Sequence, residues 1–225
     1  MNLLLAAATL PEIQPLITAL QNDDLPDAYD SFGIRGGALD VCITGAGLMQ
    51  STFALTQALH LRSYDLVLQA GIAGAFDRKL ALGDVVVVKS EQLGDFGAED
   101  NGAFLDAFSL NLAKKTESPF SRGALPNPLQ DVPFDIAALP RVNGLTVHTV
   151  SGHQPTIDAR MARHKGIQVE SMEGAALHYV CGKMGLPFLQ VRAISNYVEP
   201  RNREAWKIKE AIGALNAALK KWLVG

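Results

Sequence analysis

VVVVKS, at Val85–Ser90, is the stretch that decides the fold. Its four consecutive valines are apolar and β-branched, which is typical of a strand that is covered on both faces. Such a strand lies in the interior of a sheet, because helices must pack on both sides to cover it. We therefore predict an α/β fold in which Val85–Ser90 forms a central strand.

Buried strands and amphipathic helices alternate on either side of this stretch. The pattern predicts one α/β domain over 1–225, with a twisted, mixed central β-sheet flanked by helices on both sides. The glycine-rich Gly71–Phe76 is expected to form a loop after the third strand. Strands are predicted at Asn2–Ala8, Leu39–Thr44, Leu66–Ala70, Leu145–Ser151, Gln168–Glu170 and Phe188–Ile194, and helices around Glu12–Leu20 and at Met49–Leu61, Glu173–Met184 and Arg203–Leu223.

The segment Gly94–Val142 has a different texture, with scattered phenylalanines and prolines and weak periodicity. We expect a long loop there, with one short helix near Ala103–Lys115. Loops of this length in a compact domain usually cover or line a functional site.

The composition excludes several classes of protein. The chain has 225 residues, of which 48% are hydrophobic and 19% charged, enough for one buried core. A net charge of −3, with no dense cluster of Lys and Arg, argues against a nucleic-acid partner. No apolar run approaches the ~18 residues of a membrane span, and the apolar N-terminus is expected to be a strand rather than a signal peptide. Cys42 and Cys181 lie in separate apolar segments, so we expect no disulfide, no metal, no cofactor and a cytoplasmic location.

Polar residues that follow the predicted strands are the first candidates for a functional site. Ligands of open α/β sheets collect at the carboxyl ends of the strands. Four places qualify: Glu12, Gly71–Ala75, Glu170–Glu173 and Ser195–Asn196.

Several of these residues also have an ordinary structural explanation. Glu170 and Glu173 precede a helix, where the helix dipole favours acids, and Glu12 can be a first-turn helical acid. Arg192 lies inside the apolar FLQVRAIS, where a guanidinium is costly unless it meets a partner or a ligand. From the residues alone, an ion pair and a ligand contact explain Arg192 equally well.

Four motifs together are more specific than any one of them. They are AAATLPE at Ala6–Glu12, QAGIAGAF followed by GDVVVV across 69–88, VESMEGAA at Val169–Ala176, and PFLQVRAISN at Pro187–Asn196. In this order they resemble the 5′-methylthioadenosine/S-adenosylhomocysteine nucleosidases and related nucleoside phosphorylases, over nearly the whole chain. The resemblance implies an enzyme that binds a small-molecule purine nucleoside, and a homodimer or higher homo-oligomer.

The resemblance also implies roles for individual residues. That family breaks the C1′–N9 bond of a nucleoside through an oxocarbenium-like ribosyl centre, with water arriving on the opposite face. By resemblance, Glu12 activates the water, and Arg192 and Ser195 line the water and sugar side. Glu173 accepts hydrogen bonds from the ribose hydroxyls, and Met172 packs on the sugar. A carboxylate beside a developing cation is favourable in a dry site.

Further residues are expected to line the substrate. The family's glycine-rich loop has a serine where this chain has Ile72, so the backbone N–H groups of Ala73 and Gly74 are expected to contribute instead. Glu170 is expected at the substrate, and Gln154 with Pro155 beside the base. For the 5′ side, position alone suggests Phe96, Phe104, Phe108, Arg201 and Arg203.

Asn196 is the most informative departure, because the adenine-specific nucleosidases carry an aspartate there. An amide can donate to a 6-keto oxygen, and its carbonyl can accept from a protonated N7. Asn196 therefore predicts a 6-oxopurine base; the alternative is that it only caps the loop after the strand. An amide cannot serve as a general acid, so the base leaves as an anion or takes a proton from water.

The continuation SNYVEPRNREAWKI, at Ser195–Ile208, resembles superfamily members that release hypoxanthine from a 5′-modified inosine in an alternative route to menaquinone.

Hydrolysis is favoured over phosphorolysis. Phosphorylases of this fold bring an arginine in the first strand-to-helix loop, and Ala6–Gln14 contains none. Glu12 would also repel phosphate. A 6-oxopurine nucleoside phosphorylase, an adenine-specific nucleosidase and a non-catalytic nucleoside-binding protein stay open as alternatives.

Overall fold

A mixed β-sheet forms the centre of the protein in its computed structural model, which describes residues 1–21, 31–34, 37–128 and 132–224. The strands are β1 (Asn2–Ala7), β2 (Ser31–Ile34), β3 (Gly37–Ile43), β4 (Leu66–Ala75), β5 (Val85–Leu93), β6 (Gly97–Asp100), β7 (Ala103–Asp106), β8 (Leu125–Pro126), β9 (Arg141–Thr146), β10 (Val169–Ser171) and β11 (Phe188–Tyr197). The helices are α1 (Leu10–Leu20), α2 (Leu48–Leu61), α3 (Gln154–Arg163), α4 (Gly174–Met184) and α5 (Ile208–Leu223), with a 3₁₀ turn at Arg203–Ala205.

Strand β5 lies inside the sheet, whose order is β10-β9-β5-β11-β4-β1-β3-β2. Val87 faces one core, whereas Val86 and Val88 belong to another on the opposite face. All three are at most 4% exposed. The predicted central strand is therefore confirmed, because its β-branched side chains are covered on both faces.

Helices cover both faces of the sheet. On one side α1 and α5 pack together, with Leu16 and Leu219 in a shared core. On the other side α2 packs against α4, with Leu55 and Leu177 in a second core. The predicted fold class is confirmed. Among the described residues, no helix is long and apolar enough to cross a membrane.

The sheet closes on itself at one end. Strand β10 pairs with β9 and also, antiparallel, with the end of β4, so that β10, β9, β5, β11 and β4 form a ring. In this ring Gly74 of β4 pairs with Glu170 on one side and with Asn196 on the other. Ring closure thus brings together three of the residues that the sequence singles out.

The prediction of a glycine-rich loop after the third strand is wrong. Residues Gly71–Ala75 continue β4, because β11 pairs with all of them along one edge and β10 pairs with Gly74 and Ala75 along the other. Strand β11 likewise runs past Ile194 through Ser195 and Asn196, with a register shift between Ile194 and Asn196. Pairing between β4 and β11 outweighs the low strand propensity of glycine and asparagine.

The helix predicted near Ala103–Lys115 is also wrong. A β6–β7 hairpin begins this region, and its turn residues Asn101 and Gly102 have φ of 49° and 80°. Asn-Gly is the pair that the two-residue hairpin turn prefers, because both positions need positive φ. The turn that follows is held by Asp106, which accepts N–H bonds from Phe108 and Ser109.

Other boundaries move for local reasons. Strand β9 covers Arg141–Thr146, earlier than the predicted Leu145–Ser151, and α5 begins at Ile208 after a 3₁₀ turn rather than at Arg203. Helix α3 is absent from the prediction, because it buries only Ile157 and Arg160 and so carries little apolar periodicity. The β2–β3 hairpin is absent from it too.

Candidate active site

Glu12 is buried and held at both carboxylate oxygens. It occupies the first turn of α1, where its Oε2 accepts hydrogen bonds from the backbone N–H and the hydroxyl of Thr9, each 3.0 Å. Its Oε1 accepts the backbone N–H of Ile72 on β4 at 3.0 Å. The pattern Thr9-x-x-Glu12 is a capping box, a sequence signal for this arrangement that the prediction did not use. These bonds fix the direction in which the carboxylate points.

Arg192 lies beside Glu12 and is 1% exposed. Its Nη2 donates to Gln69 Oε1 at 2.9 Å, and its Nη1 lies 3.6 Å from Glu173 Oε2. Its Nε has no hydrogen-bond partner among the described residues. The ion pair expected as one explanation of Arg192 is therefore present. In addition, the buried Nε–H of Arg192 is left as a possible donor to a ligand.

Gly71 allows these groups to meet. A methyl group on its Cα would lie 2.3 Å from Arg192 Nη1 and 3.0 Å from Glu12 Oε1. At the first distance the guanidinium of Arg192 would have to move away from its present position. Glycine therefore gives the two charged groups room to approach each other, and no turn requires it here.

Glu173 lies where two helices begin. It is the residue before α4, it is 7% exposed, and its Oε1 accepts the backbone N–H of Gly47 at 2.9 Å at the start of α2. Its Oε2 faces Arg192. Met172, which precedes it, is half-buried. Glu12, Arg192 and Glu173 thus form one buried cluster, and the sequence-based grouping of these three residues agrees with their placement.

Asn196 lies in a small pocket further along the same strands. Its Oδ1 accepts the hydroxyl of Ser195 at 2.8 Å, and its Nδ2 donates to Tyr197 O at 3.0 Å. The same hydroxyl lies 3.2 Å from Ala73 O, so the carbonyl and Asn196 Oδ1 share or compete for its one hydrogen. The described residues that line this base-side pocket are Gly74, Val150, Ser151, Glu170, Asn196, Tyr197, Glu199, Arg201 and Trp206.

Glu170 forms the opposite wall of the base-side pocket. It accepts the backbone N–H of Ser151 at 2.7 Å and its hydroxyl at 2.5 Å, and Arg160 of α3 lies 3.3 Å away. Burial raises the pKa of Glu170. The hydrogen bonds from Ser151 and the positive charge of Arg160 act in the opposite direction but do not cancel this rise. Arg160 also donates to Thr149 O and reaches Asp95, so it ties 149–151 to the pocket wall. Arg160 is a functional candidate that the sequence analysis missed.

The roles expected of the β4 backbone need correction. The N–H that reaches a catalytic candidate is that of Ile72, whereas Ala73 contributes its carbonyl to Ser195. Gly74 has no side chain, which lets the amide of Asn196 approach the β4 backbone closely: a methyl group on Gly74 would lie 3.1 Å from Asn196 Nδ2. A pleated strand, unlike a loop, presents successive N–H groups in alternating directions, so adjacent N–H groups do not converge.

Gln154 and Pro155 are not brought to the site, contrary to the prediction. Both are exposed on the first turn of α3, and Gln154 Nε2 donates to Asp158 within that helix at 2.8 Å. The part of this connection that does line the base-side pocket is Val150 with Ser151.

A larger apolar cleft opens beside Glu173. Leu48 follows Gly47 at the start of α2, and Ala175 and Ala176 follow Glu173 on α4; these residues form its inner wall. Its outer wall contains Phe96, backed by Phe108 and Phe120 in edge-to-face contacts. Its described lining is Leu48, Thr52, Leu93, Asp95, Phe96, Leu112, Ala113, Glu117, Ser118, Phe120, Leu125, His148, Ala175, Ala176 and Tyr179.

The other candidates for the 5′ side lie elsewhere. Phe104 packs under the guanidinium of Arg163, 4.6 Å from it. Arg201 and Arg203 both stack on Trp206, and Arg201 lines the base-side pocket instead of the cleft. Within the described ranges, no group of three or more His, Cys, Asp or Glu side chains is arranged to hold a metal ion.

A buried polar network connects β5, β9 and β11 to the start of α4, next to Glu173. Glu91 is fully buried and accepts from Thr146 Oγ1 and Gln190 Nε2, both at 2.9 Å. Gln190 Oε1 bonds His178 Nε2, and Thr146 Oγ1 accepts the backbone N–H of Ala175 in the first turn of α4. Burial raises the pKa of Glu91 to about 7 and lowers that of His178 to about 4. The network was not predicted, because its members are far apart in the sequence.

Comparison with known proteins gives a consistent family. The model of the Phosphorylase superfamily matches residues 34–222. The futalosine hydrolase of Streptomyces coelicolor is 33% identical over 197 residues, which cover 88% of this chain and 79% of that protein. The 5′-methylthioadenosine/S-adenosylhomocysteine nucleosidase of Shewanella oneidensis is 25% identical over 93% of this chain and 91% of its own. The crystal structure of the corresponding nucleosidase from Neisseria meningitidis, in complex with methylthio-immucillin-A, matches with a TM-score of 0.79 and 16% identity, covering 97% of this chain and 96% of that one.

The chain belongs to the phosphorylase superfamily. Within that superfamily it is an N-glycosyl hydrolase, and it is similar to the futalosine hydrolases over most of its length. The predicted family, fold class and enzyme class are confirmed.

The raised pKa of Glu91 predicts that stability falls as pH rises. The folded carboxyl holds its proton to about pH 7, against an ordinary pKa of 4.5. The folded state therefore binds more protons between these values, and up to about 3 kcal/mol of stability is lost as pH rises through 7. Urea unfolding of the wild type and Glu91→Gln between pH 5 and pH 8 measures this. The variant should gain stability relative to the wild type with rising pH, whereas the exposed control Glu210→Gln should run parallel to the wild type. Parallel curves for Glu91→Gln would contradict the prediction.

Proposed function

We propose that this enzyme hydrolyses the N-glycosidic bond of futalosine, a 5′-modified inosine, and releases hypoxanthine. The observation that carries the proposal is the arrangement along β4. A buried Glu12–Arg192–Glu173 cluster surrounds Gly71, and a neutral amide, Asn196, faces Gly74. Gly71 and Gly74 are three positions apart along the strand, which is about 10 Å. One end therefore suits a ribosyl cation and its water, and the other a 6-oxopurine.

Glu12 supplies the group that orients the water. A carboxylate offers about four acceptor sites, and Thr9 and Ile72 occupy three of those on Glu12. The remaining site can accept one hydrogen of a water held next to Arg192. A general base must lie within hydrogen-bond reach of the proton that it takes, and fixed partners keep this one in place.

Glu173 supplies negative charge on the sugar side. In a dry pocket, a carboxylate next to the developing oxocarbenium ion stabilises it by direct Coulombic attraction. Its Oε2 faces Arg192 at 3.6 Å, too long for a tight bidentate pair, so acceptor capacity remains for ribose hydroxyls. Met172 is placed beside it to pack on the sugar.

Asn196 supplies hydrogen bonds to the leaving base. Only one of its two amide hydrogens is used by Tyr197, and its oxygen keeps a lone pair beyond the bond from Ser195. The free N–H suits a 6-keto oxygen and the free lone pair suits a protonated N7. Arg201 lines the same pocket and stacks on Trp206, so a cation lies near a base that departs as an anion.

The charges of the cluster favour water over phosphate as the nucleophile. Two carboxylates, Glu12 and Glu173, surround the single guanidinium of Arg192, so the cluster carries a net charge of −1. A phosphate dianion placed there would meet net repulsion. This supports hydrolysis and disfavours a 6-oxopurine nucleoside phosphorylase.

The apolar cleft beside Glu173 is the proposed place for the 5′ group. It adjoins the sugar side of the site, and Phe96 and Phe120 give it aromatic walls that suit a planar ring. His148 is the basic side chain among its described lining residues. The futalosine hydrolase relatives support this substrate over methylthioadenosine, the main alternative.

A substrate panel tests the proposal directly. Inosine, methylthioadenosine and futalosine are incubated with the enzyme in ¹⁸O-labelled water, with and without phosphate. We expect hypoxanthine from futalosine, little base from the other two, ¹⁸O at C1′ and no stimulation by phosphate. Glu12→Gln is the control and should bind futalosine without turnover. Adenine from methylthioadenosine as the main product, or phosphate-dependent turnover, would overturn the proposal.

The choice of base is tested at Asn196. An Asn196→Asp substitution exchanges a donor for an acceptor and should shift selectivity from 6-oxopurines toward 6-aminopurines. Two changed hydrogen bonds are worth about 1–3 kcal/mol, or roughly 5- to 150-fold in the ratio of kcat/KM values. The same change at the exposed Asn202 is the control and should leave the ratio unchanged. An unaltered ratio in Asn196→Asp would show that Asn196 does not contact the base.

We also propose that the enzyme is a homodimer or higher homo-oligomer. Met49 and Phe53 on α2 are 79% and 68% exposed, next to Leu48 in the cleft wall. Apolar side chains this exposed on one helix favour a partner surface. Sedimentation equilibrium should give at least twice the monomer mass for the wild type, and Met49→Lys/Phe53→Lys should lower it. A monomeric wild type would disprove the assembly.

A further inference from the structure

Asn216 links the last helix to the turn that carries Glu12. It lies on α5, is 2% exposed, and is 204 residues from Glu12 in the sequence. Its Nδ2 donates to the backbone carbonyl of Glu12 and to that of Ile212, both at 2.8 Å, and its Oδ1 accepts the backbone N–H of Leu16 at 2.9 Å. The nitrogen and the oxygen of this side-chain amide therefore both bond to the backbone of α1, within the turn Glu12–Leu16.

The two groups of α1 that Asn216 contacts are normally partners of each other. In a regular α-helix the carbonyl of Glu12 accepts the N–H of Leu16, four residues later. Between them lies Pro15, which has no N–H and whose ring presses on the carbonyl of the preceding turn. The amide of Asn216 thus pairs with backbone groups at the place where proline disturbs the helix.

We propose that Asn216 is a positioning residue for Glu12. It touches neither the substrate pocket nor the reacting atoms; it acts on the backbone from which the Glu12 carboxylate projects toward Ile72 and Arg192. A displacement of about 1 Å in a catalytic group can cost about 100-fold in rate. The inference rests on the proposed role of Glu12 as the base that orients the water.

The surroundings of Asn216 explain why an amide is needed there. Its neighbours on α5, Leu215 and Leu219, are completely buried in the core shared with α1. A buried amide is costly unless its donors and acceptor are satisfied, and in Asn216 both hydrogens and the oxygen have backbone partners. With leucine in this place, Glu12 O and Leu16 N would lose these partners, and the turn would relax toward its own hydrogen bond. The carboxylate of Glu12 would then move.

Steady-state kinetics of Asn216→Leu test the inference, with futalosine as substrate. We expect kcat to fall about 10- to 100-fold with KM changed less than about 3-fold, because binding groups such as Asn196 are untouched. Leu219→Ala is the matched control: it removes packing from the same helix face without touching α1 hydrogen bonds. It should lower the Tm at least as much while leaving kcat within about 3-fold. An Asn216→Leu enzyme that keeps its kcat would overturn the inference.

Asn216→Asp keeps the test decisive should the leucine variant not fold. When protonated, the new carboxyl can donate to Glu12 O and accept from Leu16 N; when ionised, it repels the carbonyl and burial disfavours it. Its kcat relative to the wild type should therefore fall as pH rises, and a ratio independent of pH contradicts the inference. If Glu12→Gln keeps normal turnover, the proposed function fails. If Glu12→Gln is inactive and both Asn216 variants keep their kcat, only the positioning role fails.

Discussion

The buried charge of Arg192 is the constraint on which the site depends. A guanidinium that is 1% exposed must be compensated, since an unpaired buried charge costs several kcal/mol. Its compensation comes from three elements: Gln69 on β4, Glu173 at the start of α4, and Glu12 of α1, which lies against the same glycine. Because each of these elements also belongs to the core, folding and assembly of the charged cluster are the same event. The site is therefore ordered by the fold before any substrate binds, which is the condition for electrostatic stabilisation of a transition state.

Ring closure of the sheet adds the second half of the site. In an open parallel sheet, β4 would end with free edges, and Gly74 would face a loop. Here β10 and β11 pair with its two edges, so Glu170 and Asn196 flank one glycine. Arg160 pairs with Glu170 and donates to Thr149 O, so it connects this wall to the neighbouring backbone and offsets the charge of Glu170. The same sheet thus places a charged cluster at one position and a neutral amide three residues further on.

Hydrophobic patterns in the sequence predict the strands and helices whose burial can be recognised within a single segment. The valines of β5 and the apolar faces of α4 and α5 show burial directly. The carboxylates and arginine of the cluster are candidates because they follow or lie in predicted strands, but their roles are implied only by the family resemblance. Gly71–Ala75 is mispredicted because glycine signals a loop unless partners on both edges are known. Helix α3 is missed because its buried face includes Arg160, a charged residue, instead of an apolar stripe. Glu91 and Asn216 could not be predicted, because their contacts join residues that are 55 to 204 positions apart in the sequence.

In the proposed mechanism, the charge distribution favours cleavage of the glycosidic bond without a general acid at the base. Bond cleavage separates charge: the sugar becomes cationic and the purine anionic. The cluster at Gly71 carries two carboxylates against one guanidinium, so its net negative charge favours the cation. At the base, Glu170 and Glu199 are paired with Arg160 and Arg78, whereas Arg201 stacks on Trp206 and pairs with no carboxylate in the described part of the chain. Asp95 shares Arg160 with Glu170, so the base end is close to neutral overall. The negative cluster favours the cationic sugar, and the neutral base end repels the departing anion less than the cluster would, so hydrogen bonds from an amide can suffice there.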